Sequence, residues 1–295
     1  MRNQTAHTPE LLAPAGGRAQ LEAAVRFGAD AVYFACDRFG LRQRAANFAL
    51  DDMPDAVACA HAAGAKAYVA VNALMGADDV AALPAYLEAL DAADADALIV
   101  SDLGAFSLAR RHAPHVELHV STQAGVMNAE AARMWHELGA SRVVCAREMS
   151  VADIARMRAD APRELELEAF VHGSICYCYS GQCLYSSMIG GRSGNRGRCA
   201  QPCRLPYEVT DRGRKMTGSG ENYVLNLKDM CTLQDIPDLL DAGVTSLKIE
   251  GRMKSATYTA GVVSIYRRYV DLYLEHGRDR FCVNPQDIKN LAELF

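Results

Sequence analysis

The chain lacks any long run of uncharged apolar residues, and this absence excludes one class of protein. No stretch approaches the roughly 18 consecutive apolar residues that a membrane-spanning helix needs. Residues 1–10 are polar and do not contain the apolar core of a secretion signal. We therefore expect a cytoplasmic protein with no membrane partner.

Positive charge is also in short supply. The 31 Lys and Arg residues are outnumbered by 36 Asp and Glu residues, so the formal net charge is −5. The net charge therefore does not favour binding to a polyanion, and any contact with nucleic acid must be made by a local group of basic residues.

Two common hydrolase motifs are missing as well. The sequence contains neither a G-x-S-x-G nucleophile elbow nor an H-E-x-x-H zinc helix. A peptidase built from this chain would therefore have to pair a cysteine with a histidine, such as His119 or His172.

What the chain does contain is a regular alternation of short apolar runs and amphipathic stretches. The eight predicted strands cover residues 10–14, 31–35, 66–71, 97–102, 117–122, 142–147, 166–172 and 246–251. Amphipathic stretches between them, such as 18–27, 53–63 and 80–92, have the spacing of helices. This order favours an α/β fold, a (β/α)8 TIM-like barrel over residues 9–276, with residues 277–295 as a C-terminal tail. An open doubly wound sheet is the alternative.

Residues 173–222 interrupt this alternation. They are rich in Gly, Ser, Cys and Arg, have no sustained period, and lie between the seventh strand and the helix before the eighth. In this type of barrel the loops that follow the strands build the catalytic face. We therefore expect a cysteine-rich insertion after strand 7 that opens onto the active site.

Cysteines are concentrated in this loop. Of the ten in the chain, five are Cys176, Cys178, Cys183, Cys199 and Cys203, and Cys231 follows soon after. In the reducing cytosol, metal or cluster ligation is a better interpretation of such a group than disulfide bonding. Structural zinc usually has two close cysteine pairs, and only the last two of the five are spaced in that way, so the pattern favours an iron-sulfur centre over zinc. A structural metal or unrelated buried thiols are the alternative, and Cys178 is assigned no role.

Four segments carry a resemblance to a known family. They read Glu168-Ala-Phe-Val-His-Gly-Ser-Ile-Cys176 with Gly181-Gln-Cys183-Leu-Tyr-Ser186, Leu11-Leu-Ala-Pro-Ala-Gly-Gly17, Arg44-Ala-Ala-Asn-Phe48 and Ser246-Leu-Lys-Ile-Glu-Gly-Arg-Met-Lys254. Over about residues 9–273 the chain closely resembles the collagenase-like family of unclassified peptidases. Several relatives are oxygen-independent hydroxylases with a 4Fe-4S cluster, which act on a tRNA wobble uridine, a ribosomal RNA cytidine or a quinone precursor. Prephenate is implicated as the hydroxyl donor of the RNA enzymes.

The resemblance also implies the ligands of the cluster. The cysteines of the RNA-modifying relatives match Cys176, Cys183, Cys199 and Cys203, whereas some relatives use a cysteine in the place of Cys231 as the fourth ligand. We favour Cys203, because one turn of loop from Cys199 brings the two thiolates side by side. Cys231 has a rival claim, because a helix N-terminus stabilises a thiolate. Longer members carry an additional C-terminal domain, and a chain that stops at Phe295 weakens the expectation of a macromolecular substrate.

Charged residues near the predicted strand ends complete the candidate site. Arg147, Lys248 and Arg252 are candidates to bind the two carboxylates of a prephenate-like donor, since a guanidinium makes paired contacts with such groups. Glu168, Glu250 and Asp102 are candidates to orient these cations or to act as acid or base, and His172 is a further catalytic candidate. A salt bridge within the barrel mouth is the alternative role for each. We expect one barrel mouth to gather Glu10, Asn72, Asp102, Gln123, Arg147, His172 and Glu250.

The sequence therefore predicts an iron-sulfur-dependent, oxygen-independent hydroxylase, with an RNA base of the tRNA wobble uridine type as substrate and a prephenate-like donor. Its loop carries Arg192, Arg196, Arg198 and Arg204, which could hold phosphates of tRNA or rRNA while a loop tyrosine stacks on a base. A collagenase-like peptidase and a non-catalytic iron-sulfur accessory protein are the alternatives. The sequence makes no prediction about the oligomeric state.

Overall fold

The computed structural model describes residues 8–220 and 222–294, and its centre is a closed parallel barrel. The barrel strands are β1 (Glu10–Pro14), β2 (Ala31–Phe34), β3 (Lys66–Val71), β4 (Ala97–Val100), β5 (Glu117–Val120), β6 (Arg142–Val144), β7 (Glu166–Gly173) and β11 (Ser246–Ile249). Each strand pairs in parallel with the next, and β11 pairs with both β7 and β1. The predicted TIM-like barrel is confirmed, and the open sheet is excluded.

Helices surround the barrel. In the described residues they are α1 (Arg18–Arg26), α2 (Met53–Ala62), α3 (Ala77–Ala92), α4 (Leu103–His112), α5 (Ala129–Glu137), α6 (Val151–Asp160), α7 (Tyr185–Gly190), α8 (Ile236–Asp241), α9 (Ala256–His276) and α10 (Pro285–Glu293). Eight of them each follow one barrel strand, while α7 belongs to the loop after β7. The last helix packs on α9: Leu291 is buried, and the Tyr269 hydroxyl donates to Asp287 at 2.6 Å. No helix of the described residues is long and apolar enough to cross a bilayer.

Two apolar layers follow from the alternation of side chains along each strand. Residues such as Leu11 and Val32 point outward and pack in the large core beneath the helices. Their neighbours Leu12, Tyr33 and Ala31 point into the barrel. Small interior residues leave room for tyrosines and charged side chains, so the barrel interior is mixed rather than purely apolar.

A bulge in β7 breaks this alternation. Because of it, His172 does not lie at the barrel mouth, where the sequence predicted it. Lys248 pairs with Phe170, but the next residue of β11, Ile249, pairs with His172, so Val171 is extra. Such an extra residue reverses the direction of the side chains that follow it. Phe170 therefore points into the barrel, whereas the ring of His172 packs outside it, 5.4 Å from the ring of Tyr266 on α9.

The chain between β7 and α8 crosses the carboxyl ends of the strands. It contains α7, a hairpin of β8 (Thr210–Asp211) and β9 (Arg214–Lys215), and β10 (Met230–Cys231), which pairs antiparallel with the end of β7. Asn195 accepts a hydrogen bond from the backbone of Leu74 after β3. Arg196 forms an ion pair of 2.7 Å with Asp79 at the start of α3. The segment is therefore attached to the far side of the barrel mouth as well as to β7.

Candidate active site

A cavity of about 820 Å³ opens at the carboxyl ends of the barrel strands. Its floor is formed by barrel residues, among them Tyr33, Ala70, Ile99, Phe170 and Lys248. Its walls come from the loops that follow several strands, and residues 174–178, 183–186 and 199–204 of the segment after β7 cover it. Catalytic sites of this fold lie at the same end of the barrel.

Beneath the floor a buried ionic network fills the barrel. The Glu168 carboxylate accepts 2.6 Å from Nζ of Lys248 and 3.2 Å from the guanidinium of Arg142, which also binds Glu10 at 2.6 Å. Burial opposes the charge of Glu168, but the two cations outweigh it and hold the pKa of its carboxyl below the usual value. Glu168 therefore lies below the cavity rather than on its wall.

Glu10 belongs to the same network and does not lie at the barrel mouth, where the sequence predicted it. This residue begins β1 and stands opposite Ser246 at the start of β11, so it lies at the amino ends of the strands. Its partners there are Arg142, Ser246 and the hydroxyl of Tyr68. Glu10 is part of the structural network and does not belong to the barrel mouth.

At the mouth, Glu250 is held by two partners. Arg42, in the loop after β2, donates to one carboxylate oxygen from Nε at 3.2 Å and from Nη2 at 3.1 Å. The Tyr33 hydroxyl donates to the other oxygen at 3.0 Å. Burial disfavours the charge of Glu250, yet Arg42 and the nearby Arg252 lower the pKa of its carboxyl, so it is an anion fixed on the cavity wall.

Arg252 lines the cavity but has no comparable partner. The residue is 4% exposed, and Nη2 is buried without a hydrogen bond. Among residues 8–220 and 222–294, no carboxylate forms an ion pair with its guanidinium. Burial, reinforced by the positive charge of Arg42, lowers the pKa of Arg252 to about 10.

Arg147 connects the loop after β6 with the covering segment. Its guanidinium donates to Gln123 at 2.7 Å, to the Ser180 hydroxyl at 3.3 Å and to Sγ of Cys176 at 3.2 Å. Glu148 accepts from the backbone N–H of Ser180 at 2.9 Å and from its hydroxyl at 2.8 Å. These contacts fasten the first cysteines of the segment to the barrel.

A glycine permits this close approach. Gly181 has φ of 75°, and a Cβ there would lie 2.1 Å from the carbonyl oxygen of Gln123. Only a residue without a side chain allows the two backbones to meet in this way. The Gly181-Gln-Cys183 motif is thereby explained as a docking point of the segment.

The four favoured cysteines face one cavity. Cys176, Cys183, Cys199 and Cys203 all line it, as does Cys178. Burial raises the pKa of the Cys203 thiol, and its electrostatic neighbours include the thiols of the other three favoured cysteines. Cys231 lies apart: it is on β10, pairs with His172 and contacts Tyr266.

These thiols fit a metal or cluster by their chemistry, since four thiolates are the ligand set of iron-sulfur cubes and of cysteine-bound zinc. Their sulfur atoms are not close enough together to coordinate one metal ion: across the described residues, no three His, Cys, Asp or Glu side chains form such a group. The group would be held by Cys176, Cys183, Cys199 and Cys203.

The remaining residues expected at the mouth are divided between the cavity and structural roles. Asn72 and Gln123 line the cavity. Asp102 caps α4 by accepting 2.9 Å from the backbone N–H of Ala105. His172 does not line the cavity, and burial, with a smaller contribution from Lys254, lowers its pKa to about 4.

Some residues of the site were not predicted. Arg42 and Tyr33 hold Glu250, and Ser180 with Glu148 holds the covering segment. Arg42 lies in the loop that follows the predicted strand 31–35, and this position at the catalytic end is the signal that could have identified it. Ser180 offers no such signal, because its role depends on a partner 32 residues away.

The fold and the site define a TIM-barrel protein with a thiol-lined cavity at the catalytic end. A model of peptidase family U32 matches residues 16–295, and the chain belongs to this family. The predicted resemblance to the collagenase-like peptidases is thereby confirmed.

Curated relatives carry several different names. The chain is 40% identical to "tRNA hydroxylation protein P1" of Bacillus subtilis, with 95% of this chain and 65% of the relative covered. It is 38% identical to a 23S rRNA 5-hydroxycytidine synthase of Escherichia coli, with 93% and 41% covered. A "Collagenase" of Porphyromonas gingivalis is 33% identical, with 97% and 71% covered. The chain thus spans less than two thirds of the first two proteins.

Solved structures agree on the fold. A U32 peptidase structure superposes with a TM-score of 0.53 at 14% identity, and 85% of this chain and 96% of that chain are covered. DHDPS from Cyanidioschyzon merolae gives a TM-score of 0.52 at 10% identity, with 98% and 81% covered. At these identities the likeness concerns the barrel alone.

Proposed function

We propose that this protein is an RNA-modifying enzyme that hydroxylates an RNA base without molecular oxygen. The observation that carries the proposal is the cavity at the barrel mouth, where four cysteine thiols face buried cationic side chains. The names of the relatives from Bacillus subtilis and Escherichia coli supply the reaction type and the class of substrate. A base of the tRNA wobble uridine type is the proposed target.

The proposed cofactor is a 4Fe-4S cluster held by Cys176, Cys183, Cys199 and Cys203, with zinc as the less favoured alternative. When bound, a cluster of this kind supplies iron that can bind an oxygen atom or transfer an electron. The protein's own contribution is to cover the cavity, to fix the thiols through Arg147 and Ser180, and to present charged groups beneath them.

A prephenate-like donor is proposed to enter the same cavity. Lys248 is occupied by Glu168, and Arg147 is occupied by Gln123 and Ser180. Arg252 is therefore the candidate cation that remains for a carboxylate. The apolar floor would exclude water from the reacting groups.

RNA would approach from the exposed side of the covering segment. Tyr177 and Tyr179 are 57% and 63% exposed there, and aromatic rings of this kind can stack on bases. Arg198 is exposed, whereas Arg196 and Arg204 are engaged with Asp79 and with backbone carbonyls of the protein. Of these arginines, Arg196 and Arg204 therefore hold the segment in place, and Arg198 is exposed to solvent.

The peptidase alternative has less support from the site. A cysteine peptidase needs a base close to its thiol. Among the described residues, no histidine lines the cavity, and the two histidines considered for this role, His119 and His172, are buried away from it.

The test combines cofactor analysis with RNA analysis. Protein purified anaerobically should contain iron and sulfide, and RNA from a strain without the gene should lose one hydroxylated nucleoside in mass spectrometry. Wild-type protein and Cys282→Ala should restore this nucleoside, whereas Cys199→Ala should not. Cys282 is an exposed cysteine outside the cavity and serves as the matched control. An unchanged nucleoside profile, together with peptide cleavage by metal-free protein, would refute the proposal.

A further inference from the structure

A fifth thiol lines the cavity and does not belong to the proposed ligand set. Cys178 lies two residues after Cys176 and five residues before Cys183, and all three face the same cavity. Its side chain is half-buried, so small oxidants in the solvent can reach it. The cavity therefore contains one more sulfur nucleophile than a four-cysteine site needs.

The thiol of Cys178 has one particular partner. Burial raises the pKa of this thiol, and Cys183 adds to the rise through its charge and through a side-chain hydrogen bond. Cys176 acts on Cys178 through its charge, while its own Sγ accepts from the guanidinium of Arg147 at 3.2 Å. Two thiols in hydrogen-bonding contact are near the separation from which a disulfide can form without a large movement of the backbone.

A β-turn keeps these two thiols together. The backbone N–H of Gln182 donates to the carbonyl oxygen of Tyr179 at 3.1 Å, and Gly181 has the positive φ of 75° that a turn of this kind requires at its third position. Cys178 directly precedes the turn and Cys183 directly follows it. The two cysteines therefore stand opposite each other at its open end.

The turn is also fastened to the barrel. Ser180 donates to Glu148 from its backbone N–H at 2.9 Å and from its hydroxyl at 2.8 Å. The backbone N–H of Gly181 donates to Oε1 of Gln123 at 3.3 Å. Because the turn is already ordered, closing the short ring between the two cysteines costs little further chain entropy.

We propose that Cys178 and Cys183 are a redox pair, which a peroxide converts into a disulfide when Cys183 holds no metal or cluster. Sγ of Cys183 attacks one peroxide oxygen, the O–O bond breaks, and a sulfenic acid and a first water form. Sγ of Cys178 then attacks the sulfenic sulfur, the S–O bond breaks, and the disulfide and a second water form. Two thiols are oxidised and one peroxide is reduced, and a dithiol reverses the bridge.

The bridge would protect Cys183. A sulfenic acid that meets no thiol is oxidised further to a sulfinic acid, which dithiols do not reduce, whereas a disulfide is recovered by reduction. The value of this protection rests on the proposed function, in which Cys183 is a ligand of the cluster. The disulfide itself depends only on the two thiols and the turn between them.

Mapping of the disulfide tests the pair. Protein freed of metal with a chelator is treated with equimolar hydrogen peroxide, its remaining thiols are alkylated, and chymotrypsin cleaves it after the tyrosines and the leucine of this segment. A bridge between Cys178 and Cys183 should join residues 178–179 to residues 180–184, and dithiothreitol should separate them. A bridge from Cys176 to Cys183, or complete alkylation of Cys178, would overturn the proposal.

Cys178→Ala tests the protective role. After excess hydrogen peroxide, Cys183 of this variant should carry about tenfold or more sulfinic acid than Cys183 of the wild-type protein, because no adjacent thiol captures the sulfenic acid. Cys282→Ala removes an exposed cysteine outside the cavity and should match the wild-type protein. Equal amounts of sulfinic acid in Cys178→Ala and the wild-type protein would contradict the proposal.

This proposal and the proposed function can fail separately. The disulfide is mapped without iron, RNA or turnover, so a negative result would leave the hydroxylase proposal intact. An unchanged nucleoside profile would in turn leave the redox pair intact.

Discussion

Lys248 and Glu168 form a 2.6 Å ion pair inside the barrel, and both side chains are almost completely buried. Glu168 also accepts from Arg142, so one carboxylate compensates parts of two buried cations. Glu168→Gln should therefore lower the free energy of unfolding by about 3–5 kcal/mol, because Lys248 loses its counter-ion in the barrel interior. Urea unfolding measures the change.

The control for this first prediction is an exposed ion pair. Arg18 and Glu22 lie 2.7 Å apart on α1, with both side chains more than half exposed. Glu22→Gln should cost less than about 1 kcal/mol. Equal losses in the two variants would show that the interior network does not stabilise the barrel.

The attachment of the covering segment leads to the second prediction. Glu148 receives both hydrogen bonds of Ser180, and hydrogen bonds to a charged group contribute about 1.5–3 kcal/mol each. Glu148→Ala should increase amide hydrogen exchange of residues 176–183 by about tenfold or more while the barrel strands keep their protection. Glu137→Ala, at an exposed position on α5, should leave the exchange of this segment unchanged. Slow exchange in both variants would mean that Glu148 does not hold the segment.

The barrel could be predicted because its signal is local. Each strand is a short apolar run bounded by turn residues, and all eight predicted strands lie within a few residues of the observed ones. The site was harder because its pairs are distant in sequence: Arg42 and Glu250 are 208 residues apart. His172 was misplaced for another reason, since a one-residue bulge at Val171 reverses the side chains without leaving a mark in the apolar pattern.

Acid stability provides the third prediction. Burial, with the charge of Lys254, lowers the pKa of His172 from 6.5 to about 4. Between pH 6.5 and 4 the unfolded chain therefore binds a proton at His172, whereas the folded protein keeps this imidazole neutral. The free energy of unfolding therefore decreases as the pH falls from about 6.5 towards 4. The difference corresponds to about 3 kcal/mol in this window.

His172→Phe should remove that part of the pH dependence. Unfolding free energies of the variant and the wild-type protein should differ in slope between pH 6.5 and 4 and run parallel at higher pH. A parallel course of His172→Phe and the wild-type protein over the whole range would contradict the burial of a neutral imidazole.

The fourth prediction rests on the proposed cluster and concerns its cysteine ligands. Cys203 lines the cavity and has the thiols of Cys176, Cys183 and Cys199 as electrostatic neighbours, whereas Cys231 lies on β10 beside Tyr266. Cys203→Ala should therefore lose most of the iron, sulfide and broad visible absorption of the anaerobic protein, because one iron would lack its thiolate. Cys231→Ala should keep them. Cys178→Ala is a further control, since Cys178 lines the same cavity but is not among the four proposed ligands. Retention of the absorption in Cys203→Ala, with its loss in Cys231→Ala, would mean that the end of β7 and β10 must rearrange to supply the fourth thiolate.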